Sequence, residues 1–293
     1  MTMPVSDLKP EVTAFFDPDT FTITYLVRDP TSNACAIIDP VLDLDYAAGR
    51  TATKSADRVI DVVTSAGLTL DWIIETHVHA DHLTAAAYLR DRLGGRVGIA
   101  RQVTVVQTVF GEVFDEGPSF RRDGSQFDHL FDEGETYRIG NMTGVAWHTP
   151  GHTPACMTHV IGDAAFVGDT LFMPDMGTAR ADFPGGDARQ LYRSIQRVLA
   201  LPPETRLFMC HDYAPGGREY RWESTVAAER AANIHVRDGV DEDAFVAMRT
   251  ARDATLDMPR LILPSLQINM RSGLMPPETP AGRRFLKVPL NHF

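Results

Sequence analysis

The chain of 293 residues is 44% hydrophobic and 23% charged, which is typical of a soluble globular protein. Its net charge of −11 argues against a nucleic-acid-binding face, because such a face needs clustered lysine and arginine. Three widely spaced cysteines provide neither a disulfide framework nor a thiolate zinc site, and no run of about 18 apolar residues predicts a membrane span. The N-terminal residues lack a signal-peptide pattern, so we expect a cytoplasmic protein without nucleic-acid or membrane partners.

The first hundred residues alternate between strand and helix patterns. Apolar runs and alternation predict strands at residues 21–29, 34–40, 70–77 and 96–100. Helical periodicity predicts helices at 56–66 and 83–95, each ending in glycine. This β-α-β-α-β order predicts helices packed on a sheet.

Residues 103–140 break this alternation and are rich in phenylalanine, glycine and aspartate. We predict a partly structured insertion over the core, whose phenylalanines pack internally, with a homodimer contact as the alternative. Strand patterns return between residues 142 and 213, around an amphipathic helix at 188–201, and a helical segment from about 217 to 293 closes the chain. No linker divides the sequence, so residues 1–293 are expected to form a single domain.

The most informative stretch is HVHADH at residues 77–82. Four side chains that can bind a metal, those of His77, His79, Asp81 and His82, fall within six residues directly after an apolar strand. On an extended chain His77 and His79 point to the same side, and the other two follow where the chain turns into the next helix. Chance and a solvated surface both explain this cluster poorly, so the stretch predicts a metal site.

Three further candidate ligands each follow an apolar strand pattern. They are His152 in TPGHTP, Asp169 in FVGDTLF and His211 in FMCHDY. Residues at strand ends converge on one edge of an α/β sheet, so these three are expected to join the HVHADH cluster. Imidazole and carboxylate ligands without thiolate suit zinc, iron, manganese or cobalt. The five remaining histidines lack this context and are expected to be packing or surface residues.

The order of these motifs resembles that of the metallo-β-lactamase superfamily: HxHxDH, a histidine in a TPGHT turn, GDxLF and a late histidine. The resemblance covers roughly residues 12–275 and implies an αββα sandwich with a helical C-terminal extension. Within the superfamily the sequence is similar to the bacterial persulfide dioxygenases, also called sulfur dioxygenases, which oxidise glutathione persulfide at mononuclear iron. The segments that carry this similarity are ETHVHADHLTAA, TPGHTPAC, GDTLFMPDMGTARADF, HDY and NMRSG.

The resemblance implies that each chain binds one metal ion, and it indicates which residues are the ligands. His77, His152 and Asp169 match the three ligands of Fe(II), which leave open positions for substrate and O2. Zinc is the expected substitute in the isolated protein. The remaining cluster residues would hydrogen-bond to these ligands and to water, or would bind a second metal; they are His79, Asp81, His82 and His211.

The resemblance also implies residues that act on the substrate. His211, Arg180 and Tyr213 are the expected catalytic residues, and Arg180 and Tyr213 match residues that line the pocket beside the metal. Arg271 of NMRSG matches a basic residue that faces the glutathione moiety. The expected reaction converts glutathione persulfide and O2 into sulfite and glutathione.

Ligand spacing leaves other functions open. All seven candidate ligands are present, so the sequence equally accommodates a dinuclear zinc hydrolase, either a thioesterase of the hydroxyacylglutathione hydrolase (glyoxalase II) type or a lactonase. The TARADF and NMRSG segments favour the dioxygenase. A non-enzymatic metal or thiol sensor is a third interpretation, which the intact ligand set disfavours.

Overall fold

The computed structural model describes residues 8–292 and contains two six-stranded sheets. The strands of the first sheet, in order across it, are β1 (Glu11–Asp17), β2 (Thr22–Arg28), β3 (Ala34–Ile38), β6 (Thr69–Ile74), β8 (Arg96–Ala100) and β9 (His129–Phe131). From β3 to β9 neighbouring strands pair in parallel. Their carboxyl ends therefore meet at one edge of the sheet.

The second sheet is mostly antiparallel. Its strands, in order, are β10 (Glu135–Ile139), β11 (Met142–His148), β12 (Met157–Ile161), β13 (Ala164–Phe166), β14 (Arg206–Phe208) and β15 (Glu223–Thr225). A small third sheet contains β5 (Arg50–Ala52), β4 (Val41–Asp45) and β7 (Leu83–Thr84). Strands β13 and β14 are parallel, so the segments that follow them leave the sheet on the same side.

Helices cover the outer faces of the sheets. Within the described residues they are α1 (Lys54–Ser65), α2 (Ala86–Leu93), α3 (Val103–Val113), α4 (Ala188–Val198), α5 (Val226–Ala232), α6 (Glu242–Asp253) and α7 (Ile262–Asn269). Asp187 begins α4 by accepting hydrogen bonds from the backbone N–H groups of Arg189 and Gln190. Asp241 begins α6 in the same way. No helix among residues 8–292 is long and apolar enough to cross a membrane.

The core consists of two hydrophobic clusters. They lie between layers in the order helices, first sheet, second sheet and helices. The larger hydrophobic cluster joins the inner faces of both sheets, where the ring centroid of Tyr25 in β2 lies 5.4 Å from that of Phe166 in β13. It also includes Val59 of α1, which packs on the first sheet. The smaller cluster packs α4, through residues such as Ile195, against the outer face of the second sheet. These layers confirm the predicted αββα sandwich.

Residues 103–140 are partly structured, as predicted, with irregular backbone at 114–128. Their buried side chains join the larger hydrophobic cluster, which corrects the prediction that the segment passes over the core. Their first eleven residues form α3, and their last strands, β9 and β10, are edge strands of the two sheets. Phe110, Phe114, Phe127 and Phe131 are buried, which confirms the interpretation that these phenylalanines pack internally.

Two helix boundaries also differ from the prediction. Residues 83–84 form β7, so the helix predicted from residue 83 begins at Ala86. Residues 223–225 form β15 within a stretch that reads as helical, because they pair with β14 and complete the second sheet. Tertiary pairing overrides local propensity at both places.

Candidate metal centre

Every candidate ligand lies where a strand ends at the same side of the sandwich. The HVHADH stretch follows β6, and its preceding residue Thr76 accepts a backbone hydrogen bond of 2.8 Å from Met157 of the second sheet. His152 lies between β11 and β12, Asp169 follows β13, and His211 follows β14. The topology therefore brings together ligands that are separated by more than a hundred residues in the sequence.

A glycine allows the Asp169 segment to approach the HVHADH stretch. Gly168 has φ +52°, and a Cβ atom there would lie 2.7 Å from Oγ1 of Thr76 and 2.9 Å from its Cβ. A larger residue at position 168 would therefore force the two ligand-bearing segments apart.

His77, His152 and Asp169 form the first of two ligand groups. All three are buried, and the Nε2 atoms of His77 and His152 lie 3.8 and 3.6 Å from Oδ2 of Asp169. Their ligand atoms all lie within 4.8 Å of one another. This separation is too long for hydrogen bonds but leaves space for a metal ion between the atoms.

Hydrogen bonds fix the imidazole tautomers of this group. His152 Nδ1 donates to the carbonyl oxygen of Arg180 at 2.7 Å. His77 Nδ1 lies 3.0 Å from Oγ1 of Thr76, whose own hydroxyl donates to Asp39. The Thr76 oxygen therefore accepts from His77, and both histidines present an unprotonated Nε2 to the centre of the group.

The second group contains His79, Asp81, His82 and His211, whose ligand atoms also lie within 4.8 Å of one another. His211 Nε2 is 3.0 Å from Asp81 Oδ2 and 3.5 Å from Asp169 Oδ1, so Asp169 lies between the two groups. His79 uses its Nε2 atom to contact Asp39 at 3.0 Å and Glu75 at 3.3 Å. Its Nδ1 atom is therefore the one available to a metal.

The buried atoms without hydrogen-bond partners provide the test of metal binding. Within the described residues, five such atoms lie in these two groups: Nε2 of His77, His82 and His211, Nδ1 of His79 and Oδ1 of Asp169. Each buried, unsatisfied polar atom costs about 1–3 kcal/mol, so five in one place require a ligand. The residues therefore fit a bound metal, with space for one ion in each group.

The electrostatics of His77 and His82 agree with this interpretation, whereas the pKa values of Asp169 and His79 are shifted toward the protonated forms. Burial and the surrounding histidines hold the pKa of His77 well below its ordinary value, and burial lowers the pKa of His82 to about 4. Both imidazoles are therefore neutral and able to bind a metal. Burial raises the pKa of Asp169. At His79 burial is outweighed by the carboxylates of Asp39 and Glu75, which raise its pKa well above the ordinary value.

A cleft of about 370 Å³ leads to the ligands. Asp81, His152 and Asp169 form its floor, and Tyr213 and Arg180 lie in its wall, where the resemblance places them. The guanidinium of Arg180 is held by Asp182 at 2.6 Å and by the carbonyl oxygen of Asp257 at 2.7 Å.

Two exposed arginines of the cleft lack such partners. Arg252 and Arg260 form no ion pair or side-chain hydrogen bond within residues 8–292. The walls also include the apolar residues Phe21, Phe172 and Leu256, together with the acidic residues Asp19 and Asp257. The cleft therefore offers two exposed guanidinium groups beside apolar walls.

The structure does not bring Arg271 to this cleft, which corrects the placement that the resemblance implies. Its buried guanidinium lies 2.7 Å from Glu116 and 4.4 Å from the ring centroid of Phe120, and it donates to the carbonyl oxygen of Gln267. Sequence reasoning could not see this packing, because Glu116 and Phe120 belong to the segment that was predicted to pass over the core.

Sequence reasoning also missed residues that support the ligands. Asp39 follows the apolar strand β3 as the ligands follow theirs, so the same signal could have identified it. Asn269 of α7 bonds to the HVHADH segment; it is the first residue of NMRSG, a segment that carries the resemblance to the persulfide dioxygenases but does not by itself predict this contact.

Comparisons with known proteins agree with the geometry. The metallo-beta-lactamase superfamily profile matches residues 18–211, which include all seven ligands. The chain belongs to the metallo-β-lactamase superfamily. It is 59% identical to a probable metallo-hydrolase of Burkholderia pseudomallei over 96% of this chain and 99% of that protein. It is 42% identical to glyoxylase B2 of Dictyostelium discoideum over 97% and 98% of the two chains.

Two further superfamily members are persulfide dioxygenases or are named after one. The chain is 31% identical to the human mitochondrial persulfide dioxygenase ETHE1 over 89% of this chain and 88% of that protein. The crystal structure of ETHE1 from Myxococcus xanthus superimposes with a TM-score of 0.71 and 30% identity, over 90% of this chain and 100% of that one. The chain is thus a superfamily enzyme whose relatives have both hydrolase and dioxygenase names.

Proposed function

We propose that this enzyme is a persulfide dioxygenase that oxidises glutathione persulfide with O2 at one Fe(II). The observation that carries the proposal is the separate group of His77, His152 and Asp169, two histidines and one carboxylate with unprotonated Nε2 atoms facing a common centre. Two histidines and one carboxylate on one face are the ligand set of many non-haem iron oxygenases. The similarity to the human persulfide dioxygenase over most of both chains supports the same activity.

The overall reaction balances as GSSH + O2 + H2O → GSH + SO3²⁻ + 2H⁺. The S–S bond breaks, the terminal sulfur leaves as sulfite, and the persulfide sulfurs lose the four electrons that O2 gains. Iron supplies the redox chemistry that this reaction needs, which zinc lacks.

The residues of the chain bind and orient the substrate. Glutathione has two carboxylates, and Arg252 and Arg260 are the unpaired cations of the cleft that can bind them. Phe21 and Phe172 provide apolar walls near the ligands and exclude water from the sulfur. Tyr213 stacks on His211 with ring centroids 5.9 Å apart, which places a phenol beside the second ligand group.

A dinuclear zinc hydrolase is the second candidate function. The observation that favours it is the second group of four ligands, three of whose nitrogen atoms lack hydrogen-bond partners within the described residues. The names of the relatives that are 59% and 42% identical point the same way. In such an enzyme two metals would activate water for attack on a thioester or lactone.

Parallel assays of one preparation distinguish the two functions. Iron-loaded and zinc-loaded protein are each given glutathione persulfide with O2, and separately S-lactoylglutathione. The proposal expects sulfite formation by the iron form alone and little thioester hydrolysis by either form. Rapid thioester hydrolysis by the zinc form, without sulfite production by the iron form, would contradict it.

A further inference from the structure

The C-terminal helices contact the two ligand groups through buried polar side chains. Asn269 of α7 is 3% exposed, and its Nδ2 donates to the carbonyl oxygens of His79 at 2.9 Å and His82 at 2.7 Å. Its Oδ1 accepts from the backbone N–H of Thr84 at 2.8 Å. One side chain thereby satisfies three backbone groups of the turn that carries the second ligand group.

Helix α6 makes an equivalent contact behind the first group. Asp253 accepts the backbone N–H of Ala181 at 2.9 Å, and Arg249 donates to the carbonyl oxygen of Thr178 at 3.1 Å. The two side chains are buried and pair with each other at 2.6 Å. Arg180 lies in the sequence between Thr178 and Ala181. Its carbonyl oxygen accepts a hydrogen bond from Nδ1 of His152.

We infer that Asn269 and Asp253 are positioning residues of the metal centre. Each holds a backbone segment that either carries metal ligands or orients one, and each comes from the helical extension rather than from the sandwich. Hydrogen bonds outside the immediate ligands set ligand orientation, and their loss typically weakens metal binding about 10- to 100-fold. The C-terminal helices therefore determine metal affinity as well as covering the core.

This inference rests on the proposed metal site but not on the persulfide reaction. Metal affinity is measured on metal-free protein titrated with cobalt(II) alone, whose visible absorption reports ligand geometry. Wild-type protein that binds cobalt normally but has no dioxygenase activity would count against the proposed function. Weakened cobalt binding in the variants would still support the positioning roles.

The test at α7 compares two amide-to-carboxylate changes on the same helix. Asn269→Asp removes the two bonds that Nδ2 donates, and we expect cobalt affinity to fall about 10-fold with an altered spectrum. Gln267→Glu is the control, because Gln267 is equally buried but bonds to Leu263 and Lys287. Equal affinity in Asn269→Asp and the wild type, or an equal loss in the control, would overturn the role of Asn269.

The test at α6 has the same design. Asp253→Asn is expected to weaken cobalt binding about 10-fold. Glu242→Gln is its control, since Glu242 ties α6 to Arg189 and Arg193 on the exposed face. If Asp253→Asn does not fold, Arg249→Lys in the same titration decides the question. Unchanged affinity in a folded variant at either position would overturn the role of this pair.

Discussion

At the scale of single residues, buried atoms without partners carry most of the functional information. Five such nitrogen and oxygen atoms converge where two sheets present their strand ends, and burial keeps His77 and His82 neutral among them. A protein interior tolerates this arrangement only when a ligand satisfies those atoms. The effects of substitution should therefore depend on the group to which each residue belongs.

Substitutions in the first group should remove the metal. We expect His77→Ala, His152→Ala and Asp169→Ala each to abolish stoichiometric iron and activity, because each removes one of three ligands. His211→Ala should retain most of the iron and lose rate. Elemental analysis and O2 uptake measure both effects.

His129→Ala is the control for these variants, since His129 lies away from the site and pairs with Glu135 at 2.7 Å. It should retain wild-type iron and activity. If His211→Ala loses metal as completely as His152→Ala, the dinuclear alternative gains support.

Substitution of the two cleft arginines should weaken substrate binding. Arg252→Ala and Arg260→Ala remove the unpaired cations of the cleft, and we expect each to raise KM for glutathione persulfide about 10-fold, near the lower limit for a charge-assisted hydrogen bond. Exposed Arg101, which pairs with Asp132 away from the cleft, provides the control variant Arg101→Ala. Unchanged KM in both cleft variants would exclude them from substrate binding.

Arg271→Ala should behave differently. It leaves the mostly buried carboxylate of Glu116 without its partner, so we expect the free energy of unfolding to fall by about 3 kcal/mol, while KM stays close to that of the wild type. Urea denaturation and steady-state kinetics test the two expectations separately. A large rise in KM without loss of stability would restore the substrate role that the resemblance implies.

The sequence predicts the clustering of the candidate ligands better than the surroundings of Arg271, for a physical reason. His77, His152 and Asp169 occur at strand ends, and strand direction alone determines where those ends meet. The neighbours of Arg271 depend on how α3 and the segment after it pack, which residue patterns do not specify. Arg252 and Arg260 reach the cleft only because α6 and the segment that follows it dock beside it.

At the scale of elements, most strands and helices follow from periodicity, and the exceptions are decided by pairing. The predicted helix at 188–201 forms as α4 because it begins at Asp187 and has one apolar face. Residues 223–225 become a strand because the exposed edge of β14 is available to them. Residues 103–113 form a helix although the surrounding glycines and aspartates suggest irregular structure.

Helix α5 contains a buried carboxyl group that should make stability depend on pH. Glu229 is fully buried and accepts a hydrogen bond from Asn233 at 2.7 Å. Burial raises its pKa from the ordinary 4.5 to about 7. The unfolded chain releases this proton near pH 4.5 and the folded state near pH 7, so stability from this group falls as pH rises between these values.

Glu229→Gln should remove this dependence, because glutamine does not ionise and keeps the acceptor for Asn233. Above pH 7 we expect the variant to be about 3 kcal/mol more stable than the wild type, and below pH 4.5 we expect no difference. Urea denaturation at pH 4.5, 6 and 8 measures the change. A difference that is constant across this range would contradict the raised pKa.

At the scale of the whole molecule, the sandwich provides the site and the C-terminal helices complete it. The two sheets share one large core, and their parallel strands direct the ligand-bearing segments to one side. Helix α6 and residues 256–261 then add a wall of the cleft, and α6 and α7 add the hydrogen bonds behind the ligands. The sandwich is implied by the resemblance of the motif order to the metallo-β-lactamase superfamily, whereas the contacts of these helices are visible only in three dimensions.

The central claim is that one iron, held by His77, His152 and Asp169, supports oxygenation of a persulfide. Its most direct test is the anaerobic titration of metal-free protein with Fe(II), with O2 uptake on glutathione persulfide measured at each addition. Our account predicts that uptake saturates near one iron per chain, with one sulfite formed for each O2 consumed. Two tightly bound zinc ions per chain, fast thioester hydrolysis and no O2 uptake at any iron content would contradict it.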